Sequence, residues 1–327
     1  MLVDLPRALS ESLERLCHGY SPKELSLAAA DLSTRYRGEI ATVGPMVTSA
    51  MDVAAYAATR FPATYAAIAA ALHAVAEQRP DWKPQSLLDL GAGMGAGLWA
   101  ATRVWPTLEQ FTAIDAEPRM IEAGRDLCRT ARITSLRSAR WTQADLSRIE
   151  QFEPHDLVLI SYVLGELDPE DIAPLLERAW RAATVLVIVE PGTPIGYNHV
   201  REAGETLRAL GGHSIAPCPH EPPCEGPEGD WIHFSVRLPR NRVHRIAKGA
   251  ELNYEDEKFS YLAMAREPVT DTYARIMRHP QIRKGHIYLQ LCTPDGVKTV
   301  VVSKRERERF NRARKAEWGD VFDLPQS

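Results

Sequence analysis

Cysteine is scarce in this sequence. Five residues in 327 are cysteine, and they are Cys17, Cys128, Cys218, Cys224 and Cys292. Small proteins that are held together by disulfides carry cysteine at a higher frequency and usually in even number. The scarcity therefore argues against a disulfide framework and favours reduced thiols, with metal binding as one use for them.

Long apolar runs are missing as well. No uninterrupted apolar stretch of the sequence reaches the roughly 18 residues that a membrane-spanning helix needs. The first segment, MLVDLPRALSESLERL, carries acids at Asp4, Glu11 and Glu14 and lacks the apolar region of a secretory signal or the composition of a transit peptide. We therefore expect a cytoplasmic protein with no membrane partner.

The sequence also has no excess of positive charge. Its 39 Lys and Arg residues are outnumbered by 43 Asp and Glu residues, for a formal net charge of −4. Any surface for nucleic acid must then be a local patch. Hydrophobic residues make up 45 % of the chain and charged residues 25 %, which is typical of a globular protein.

The pattern of apolar residues divides the chain into two parts. Residues 1 to about 80 are rich in alanine, and their apolar periodicity predicts a helical N-terminal domain with a break at Pro62. From 81 to 327, short apolar runs alternate with helix-compatible stretches. This pattern predicts an α/β domain with a doubly wound, Rossmann-like parallel sheet.

The end of the second domain has a different pattern. The segments GHIYLQLC and VKTVVVSK flank the turn TPDG, which predicts a β-hairpin and hence antiparallel final strands. We also expect an insertion at 216–250 that is rich in cysteine and proline at its start and basic at its end.

The segment LLDLGAGMGAG, residues 87–97, places three glycines between a predicted strand and a predicted helix. Glycine lets the backbone approach a ligand closely at a helix N-terminus. Gly91, Gly93 and Ala96 also fit the G-x-G-x-x-A pattern of dinucleotide enzymes, with Asp115 at the distance of a ribose-binding acid. A nicotinamide oxidoreductase is thus one interpretation of the loop.

Further landmarks favour S-adenosylmethionine. The pattern D-x-G-x-G-x-G, which begins at Asp89, resembles the first motif of class I methyltransferases. Asp115 ends the second predicted strand, Asp145 lies in QADL, and Tyr162 lies in SYVLGEL after the fourth strand; these are places where that superfamily contacts ribose, adenine and the reacting centre. The expected cofactor-binding residues are Asp89, Gly91, Ala92, Gly93, Gly95, Asp115, Asp145 and Tyr162.

Eight segments carry a more specific resemblance. They are RFPATYAA, LLDLGAGMGAG, YVLGEL, VEPGTP, APCPHEPPC, HFSVRL, YEDEKFSYL and LCTPDG. Together they resemble the methyltransferase-like small-ribosomal-subunit family, which is known from mitochondria and bacteria. The resemblance implies a class I methyltransferase fold that acts on the small ribosomal subunit, at its rRNA, during assembly or translation.

The resemblance also implies an iron-sulfur cluster held by four cysteines. Cys218, Cys224 and Cys292 match three of these positions, but Ile232 stands at the remaining one. Isoleucine cannot bind a metal, so the matching positions do not supply a four-thiolate site.

Three alternatives follow for the metal. His220 or His233 would complete an iron-sulfur or zinc site, since imidazole nitrogen binds both metals. A cluster would otherwise bind through three thiolates and an exogenous ligand, or the metal has been lost from this chain.

Basic residues follow the cysteine-rich segment directly. The predicted RNA-binding residues lie within twelve positions, and such clustering suits phosphate neutralisation; they are Arg237, Arg240, Arg242, Arg245 and Lys248. A second basic run at 304–315 alternates with acids, as solvated surfaces do.

No catalytic residue can be assigned. SYVLGEL lacks both the Asn/Asp-Pro-Pro-aromatic pattern of N-methylation and a Pro-Cys nucleophile, although Tyr162, Glu166 and Glu190 are candidates to line the pocket. Three interpretations stay open: a methyltransferase acting on the small subunit, a non-catalytic assembly factor that binds cofactor and metal, and an enzyme that methylates a small molecule or a protein.

Overall fold

The computed structural model describes residues 2–36, 46–220, 230–269 and 273–323. These residues form eleven α-helices and thirteen strands. The helices are α1 (Arg7–Leu16), α2 (Pro22–Tyr36), α3 (Ala50–Thr59), α4 (Phe61–Gln78), α5 (Ala96–Val104), α6 (Pro118–Arg129), α7 (Thr134–Arg137), α8 (Pro169–Ala182), α9 (Pro194–Ala209), α10 (Arg242–Ala247) and α11 (Arg307–Lys315). The strands are β1 (Ser86–Leu90), β2 (Gln110–Asp115), β3 (Arg140–Gln143), β4 (His155–Ser161), β5 (Ala183–Pro191), β6 (His213–Ala216), β7 (Phe234–Pro239), β8 (Tyr254–Ala265), β9 (Ala274–Ile276), β10 (Gln281–Arg283), β11 (His286–Thr293), β12 (Gly296–Ser303) and β13 (Val321–Phe322).

The main sheet has eight strands in the order β3-β2-β1-β4-β5-β8-β6, and β7 also pairs with β8. Strands β1 to β5 are parallel. Strand β8 runs antiparallel to β5, and β6 and β7 run antiparallel to β8. The predicted fold class is confirmed: a Rossmann-like sheet of the class I methyltransferase type with antiparallel final strands.

Side chains of the central strands alternate between two hydrophobic cores, as the pleat requires. Leu157 and Leu159 of β4 belong to the first core, which includes residues of α4 and α5. Val158 and Ile160 belong to the second core, which includes residues of α8 and α9. Helices therefore cover both faces of the sheet, which is the doubly wound arrangement.

The N-terminal helices pack on the first core. Helix α3 begins with a capping box, in which Ser49 and Asp52 each donate a backbone N–H to the other's side chain at 3.1 Å. The Asp52 carboxylate also pairs with Arg35 of α2 at 2.9 Å. Phe61 and Leu72 of α4 lie in the same core as the sheet, so this core continues across the link at residues 79–85 where the expected domain boundary falls.

A second, smaller sheet closes the chain. Its order is β10-β11-β9-β13, with β12 also paired to β11. Strands β11 and β12 form the predicted hairpin, in register from His286 opposite Ser303 to Thr293 opposite Gly296. Leu289 of β11 packs with Ala313 of α11 beneath the hairpin. Within the described ranges, no helix is long and apolar enough to cross a membrane.

Candidate functional site

A cavity of about 620 Å³ lies at the carboxyl edge of the parallel strands. Open α/β sheets bind ligands at this edge, where the strand order reverses, and here that point lies between β1 and β4. The lining includes six residues from the ends of five strands, β1 to β5: Gly91, Gly93, Asp115, Asp145, Tyr162 and Glu190.

The glycine loop forms the floor of the cavity. Gly91, Gly93 and Gly95 have φ angles of 74°, 53° and 82°, which side-chain-bearing residues rarely adopt. A Cβ on Gly91 would lie 2.2 Å from Cγ2 of Val163. The loop therefore requires glycine there on grounds of both conformation and space. Ala92, in the same loop, is buried.

Asp115 ties this loop to the end of β2. Its carboxylate accepts hydrogen bonds from the N–H groups of Gly93, at 2.7 Å, and Glu117, at 2.9 Å. Burial raises the pKa of Asp115, while these two donors oppose the rise. The carboxylate lines the cavity; contact of Asp115 with a ribose stays a prediction.

Asp89 lies beneath the loop instead of at the cavity wall. It has no exposed surface, and a Cβ on Gly97 of α5 would be 2.4 Å from its Oδ2. Neither carboxylate oxygen has a hydrogen-bond partner among the described residues. Burial, together with the charge of Asp115, raises the pKa of Asp89 to about 8. Direct contact of Asp89 with a ligand stays a prediction.

Asp145 lies exposed at the far side of the cavity. Its Oδ1 accepts hydrogen bonds from the hydroxyl and the N–H of Ser147, at 2.8 and 3.0 Å. These bonds lower the pKa of Asp145. The lowered pKa favours the ionised carboxylate, and contact of Asp145 with adenine stays a prediction.

Tyr162 follows β4 in a strained backbone conformation. It alone among the described non-glycine residues has a positive φ, of 58°, and such residues concentrate at functional sites. Its N–H donates to the carbonyl of Val189 at 2.7 Å, and its hydroxyl donates to Oε1 of Glu257 at 3.2 Å. Burial raises the pKa of this hydroxyl well above its ordinary value.

Acidic side chains complete the wall beside Tyr162. Glu190 is buried, and its Oε1 accepts the N–H groups of Val163 and Leu164 at 3.1 and 3.0 Å. Burial, with the charges of Asp115 and Glu190, raises the pKa of Glu166 to about 8. A positively charged ligand beside these acids would favour the ionised form of Glu166.

Sequence reasoning missed three residues near the cavity. Tyr56 and Arg60 reach it from the N-terminal helices, and Glu257 contacts Tyr162 from β8. The segments RFPATYAA and YEDEKFSYL contain Arg60 and Glu257. Their membership of those segments was the available signal, but it does not show which side chains face a common cavity.

Of the five predicted RNA-binding residues, Arg237 lies on β7, Arg240 between β7 and α10, Arg242 and Arg245 on α10, and Lys248 at the C-terminal end of α10. Arg237 forms a bidentate pair with Asp256 at 2.7 and 2.8 Å and stacks on Tyr254 at 4.0 Å. Arg240 pairs with Glu255 at 3.2 Å, and Lys248 pairs with the same carboxylate. Three of the five cations are therefore partly neutralised within the chain.

Glu255 is the centre of this ion-pair network. His244 Nε2 lies 2.9 Å from Glu255 Oε2. Burial alone would raise the pKa of Glu255, but the hydrogen bonds and charges of His244 and Lys248 lower it to about 2. Arg242 and Arg245 are exposed and form no ion pair within the described ranges, so their charges face solvent. RNA contact by the five residues stays a prediction.

The cysteine-rich segment does not form a four-thiolate site in the described part of the chain. Cys218 is a buried free thiol whose pKa is raised by burial to about 12. Ile232 and Cys292 are buried in the same core, and Cys224 lies outside the described residues. Within the described ranges no three His, Cys, Asp or Glu side chains are grouped to hold a metal ion.

The strand order and the glycine-loop cavity define a class I methyltransferase fold. A family model described as mitochondrial small ribosomal subunit Rsm22 matches residues 50–323. The chain belongs to the Rsm22 family, as the resemblance predicted.

Two curated relatives show how far the likeness extends. The human mitochondrial ribosome assembly protein METTL17 is 28 % identical over 292 residues, which cover 82 % of this chain and 62 % of that protein. The Rsm22-cox11 tandem protein 2 of Schizosaccharomyces pombe is 25 % identical over 293 residues, which cover 74 % of this chain and 39 % of that protein. The chain thus spans less than two thirds of the length of these relatives.

Solved structures similar to the chain include the plantazolicin methyltransferase BpumL in complex with a substrate analogue and SAH. The TM-score is 0.41 and the identity 14 %, with 79 % of this chain and 99 % of that chain covered. A precorrin-6y C5,15-methyltransferase of Geobacter metallireducens has a TM-score of 0.39 at 14 % identity, with 70 % and 94 % covered.

These matches contradict the expected cytoplasmic location. The family description and the names of the three curated relatives all specify mitochondria. The expectation was wrong because it rested on the composition of the first residues, which does not determine the compartment of the folded protein.

Proposed function

We propose that this chain binds S-adenosylmethionine in the cavity at the carboxyl edge of the sheet and methylates a component of the small ribosomal subunit during assembly. One observation carries the proposal: the positive-φ glycine loop is tied to the acid that ends β2, through the 2.7 Å bond from Gly93 N–H to Asp115. Family membership supports the small subunit as the partner.

Each cavity residue has a role in this proposal. The glycine loop lets the methionine end of the cofactor approach the helix N-terminus. Asp115 accepts hydrogen bonds from the ribose hydroxyls, and Asp145 contacts adenine. Glu166 and Glu190 lie beside Tyr162; the pKa of Glu166 is raised to about 8, and the positive charge of a bound cofactor would favour its ionised form. S-adenosylmethionine supplies a methyl group on a sulfonium; the chain contributes mainly orientation of the acceptor, as methyl transfer requires.

A second candidate is an assembly factor that binds the cofactor without transferring its methyl group. Two observations favour it. No N-methylation pattern or Pro-Cys nucleophile follows β4, and the human relative is named a ribosome assembly protein. A third candidate, methylation of a small molecule or a protein, would need no ribosomal subunit.

Calorimetric titration with S-adenosylhomocysteine tests the cofactor site. We expect Asp115→Ala to weaken binding by about tenfold or more, because Gly93 N–H and the ligand are both deprived of a charged acceptor. Asp126→Ala is the matched control, since Asp126 is an exposed acid of α6. Equal affinities for the wild type and Asp115→Ala would refute the assignment of the site.

Transfer of labelled methyl groups then separates the candidates. Label in RNA or protein of immature small subunits supports the methyltransferase proposal. Cofactor binding without label in any fraction supports the assembly factor, and label in a subunit-free extract supports the third candidate.

An iron-sulfur or zinc site at the cysteine-rich segment is a finer proposal. Its support is the match of three cysteine positions, together with His220, which is buried and whose ring nitrogens have no hydrogen-bond partner of normal geometry in the described part of the chain. Ile232 leaves at most three cysteines at the four matching positions.

A further inference from the structure

The small C-terminal sheet has one face covered by α11, and a second face that is buried at Cys292 but open toward the β10–β11 turn; this exposed part is called the open face. Ile287, Leu289 and Leu291 point from β11 into the core beneath α11 and are fully buried. His286, Tyr288 and Gln290 alternate with them and therefore point to the opposite face. His286 and Tyr288 are exposed.

The strand register gives the composition of the open face. Tyr288 lies between Gln281 of β10 and Val301 of β12, and Tyr288 and Val301 are 39 % and 46 % exposed. The neighbouring rows are polar: Arg283, His286 and Ser303 form one, and Gln290 and Thr299 form the other. The face thus presents Tyr288 and Val301 between two polar rows.

Four cations border this face at one end. Arg283, Lys284, Lys304 and Arg305 are all exposed. The N–H of Lys304 donates to the carbonyl of Gly285 at 2.9 Å, which holds the β10–β11 turn against the end of β12. The four cations therefore form a single cluster.

The cluster is not neutralised by acids of the described residues. None of its four cations forms an ion pair there, in contrast to Arg237, Arg240 and Lys248. Between positions 278 and 305 the single acid is Asp295, which pairs with Lys298 at 2.6 Å at the other end of the hairpin. The next acid, Glu306, accepts the N–H of Ser303 at 2.8 Å and pairs with Arg309 at 3.2 Å instead of with the cluster. Positive charge is thus concentrated here in a chain whose net charge is −4.

We propose that the open face of β10, β11 and β12 binds single-stranded RNA. A base stacks on Tyr288 while the four-cation cluster neutralises the adjoining phosphates. An exposed aromatic ring on a sheet, next to a basic groove or edge, suits unstacked bases, whereas a duplex offers no free base face. The inference rests on the proposed function in taking the RNA to be that of the small subunit, and it adds a contact surface on a different sheet from Arg237.

Fluorescence anisotropy of a labelled short oligouridine with the full chain tests the proposal. We expect Tyr288→Ala to weaken binding about 5- to 100-fold, and Tyr288→Phe, which keeps the ring, to bind nearly as the wild type does. If Tyr288→Ala fails to fold, Tyr288→Leu replaces it, since it keeps apolar bulk and lacks the ring.

A second pair of variants tests the cations. We expect replacement of Arg283, Lys284, Lys304 and Arg305 by Gln to weaken binding by at least about tenfold. The same replacement should reduce the salt dependence, by about 0.7 in log–log slope for each phosphate that is no longer neutralised. The charge-matched control replaces four exposed cations elsewhere by Gln: Lys23, Lys83, Arg132 and Arg140.

Several results would overturn the proposal. If the control variant weakens RNA binding as strongly as the cluster variant does, the effect is one of overall charge. If duplex RNA binds as tightly as oligouridine, base stacking on Tyr288 is excluded. Loss of small-subunit binding by Tyr288→Ala with oligouridine binding unchanged would show a protein partner. Titration of each variant with S-adenosylhomocysteine separates the two proposals, because the cofactor site must remain intact when this face fails to bind RNA.

Discussion

Asp89 is a buried carboxyl group without a hydrogen-bond partner in the described structure. Its pKa of about 8, against an ordinary value of 3.8, means that the folded chain holds a proton that the unfolded chain releases between these values. The folded state binds more protons in this interval, so Asp89 makes stability fall as pH rises from about 4 to about 8.

Asp89→Asn removes this titration at nearly constant volume. Between about pH 5 and pH 8, we expect the wild type to lose at least about 1 kcal/mol more of its unfolding free energy than the variant does. Urea unfolding at both pH values measures the difference, with the exposed Asp126→Asn as control. Parallel profiles for the wild type and Asp89→Asn would show that the carboxyl is already ionised in the fold.

At the scale of single residues, the sequence predicts cavity positions for acids at the ends of parallel strands better than for acids that reach the cavity from another strand. Asp115 could be placed because it ends a recognisable apolar strand, and Asp145 because the segment QADL matches the superfamily pattern. Glu257 could not, because it lies 95 positions from Tyr162 in the sequence. Its contact depends on β8 pairing beside β5, which no local pattern specifies.

Among the elements, the glycine loop combines backbone strain and close packing. Gly91 and Gly249 both have a positive φ, of 74° and 58°. A Cβ would strike Val163 at Gly91 and meet nothing within 4 Å at Gly249. The two positions thus separate the conformational cost of a side chain from its steric cost.

We expect Gly249→Ala to lower the unfolding free energy by about 1 kcal/mol, through the left-handed backbone alone. Gly91→Ala should lower it by about 2 to 4 kcal/mol, because overpacking adds to that cost, and it should also abolish S-adenosylhomocysteine binding. Denaturant unfolding and calorimetry check both. Equal losses at the two positions would mean that Val163 moves away without cost.

The basic segment, residues 237–248, shows that a local sequence pattern does not reveal the ion-pair partners of its residues. The spacing of Arg237, Arg240 and Lys248 predicts clustered charge, and the cluster is present. Their partners Glu255 and Asp256 lie on β8, so the pairing is a property of the sheet and could not be derived from the segment. The buried parallel strands, by contrast, were predictable because each is a short apolar run between helices.

For the whole molecule, one hydrophobic core joins the N-terminal helices to the sheet. It includes Leu13 of α1, Leu72 of α4, Leu157 of β4 and Cys292 of β11. Residues 1–80 therefore have no separate core of comparable extent in the described structure. The change of sequence pattern near residue 80 marks a change from helices to alternating strands and helices. The shared core continues across it.

We expect thermal unfolding of the helices and the main sheet in a single transition, with coincident far-ultraviolet circular dichroism and tryptophan fluorescence. Leu13→Ala should destabilise the whole transition by about 2 to 5 kcal/mol without splitting it. Leu27→Ala, at a position that is 63 % exposed on α2, is the control. A separate early transition of the helices would contradict a shared core.

Strand β8 sets a limit on how the length of this chain can vary between related proteins. Glu255 and Glu257 point to one side of β8 and Asp256 points to the other. Glu255 pairs with Arg240, Asp256 pairs with Arg237, and Glu257 accepts the hydroxyl of Tyr162. Insertion or deletion of one residue within Tyr254–Ala265 would reverse every side chain beyond it, so that the ion pairs and the cavity contact could not coexist. We therefore expect length differences between related proteins to fall in the loops on either side of β8 and not within the strand.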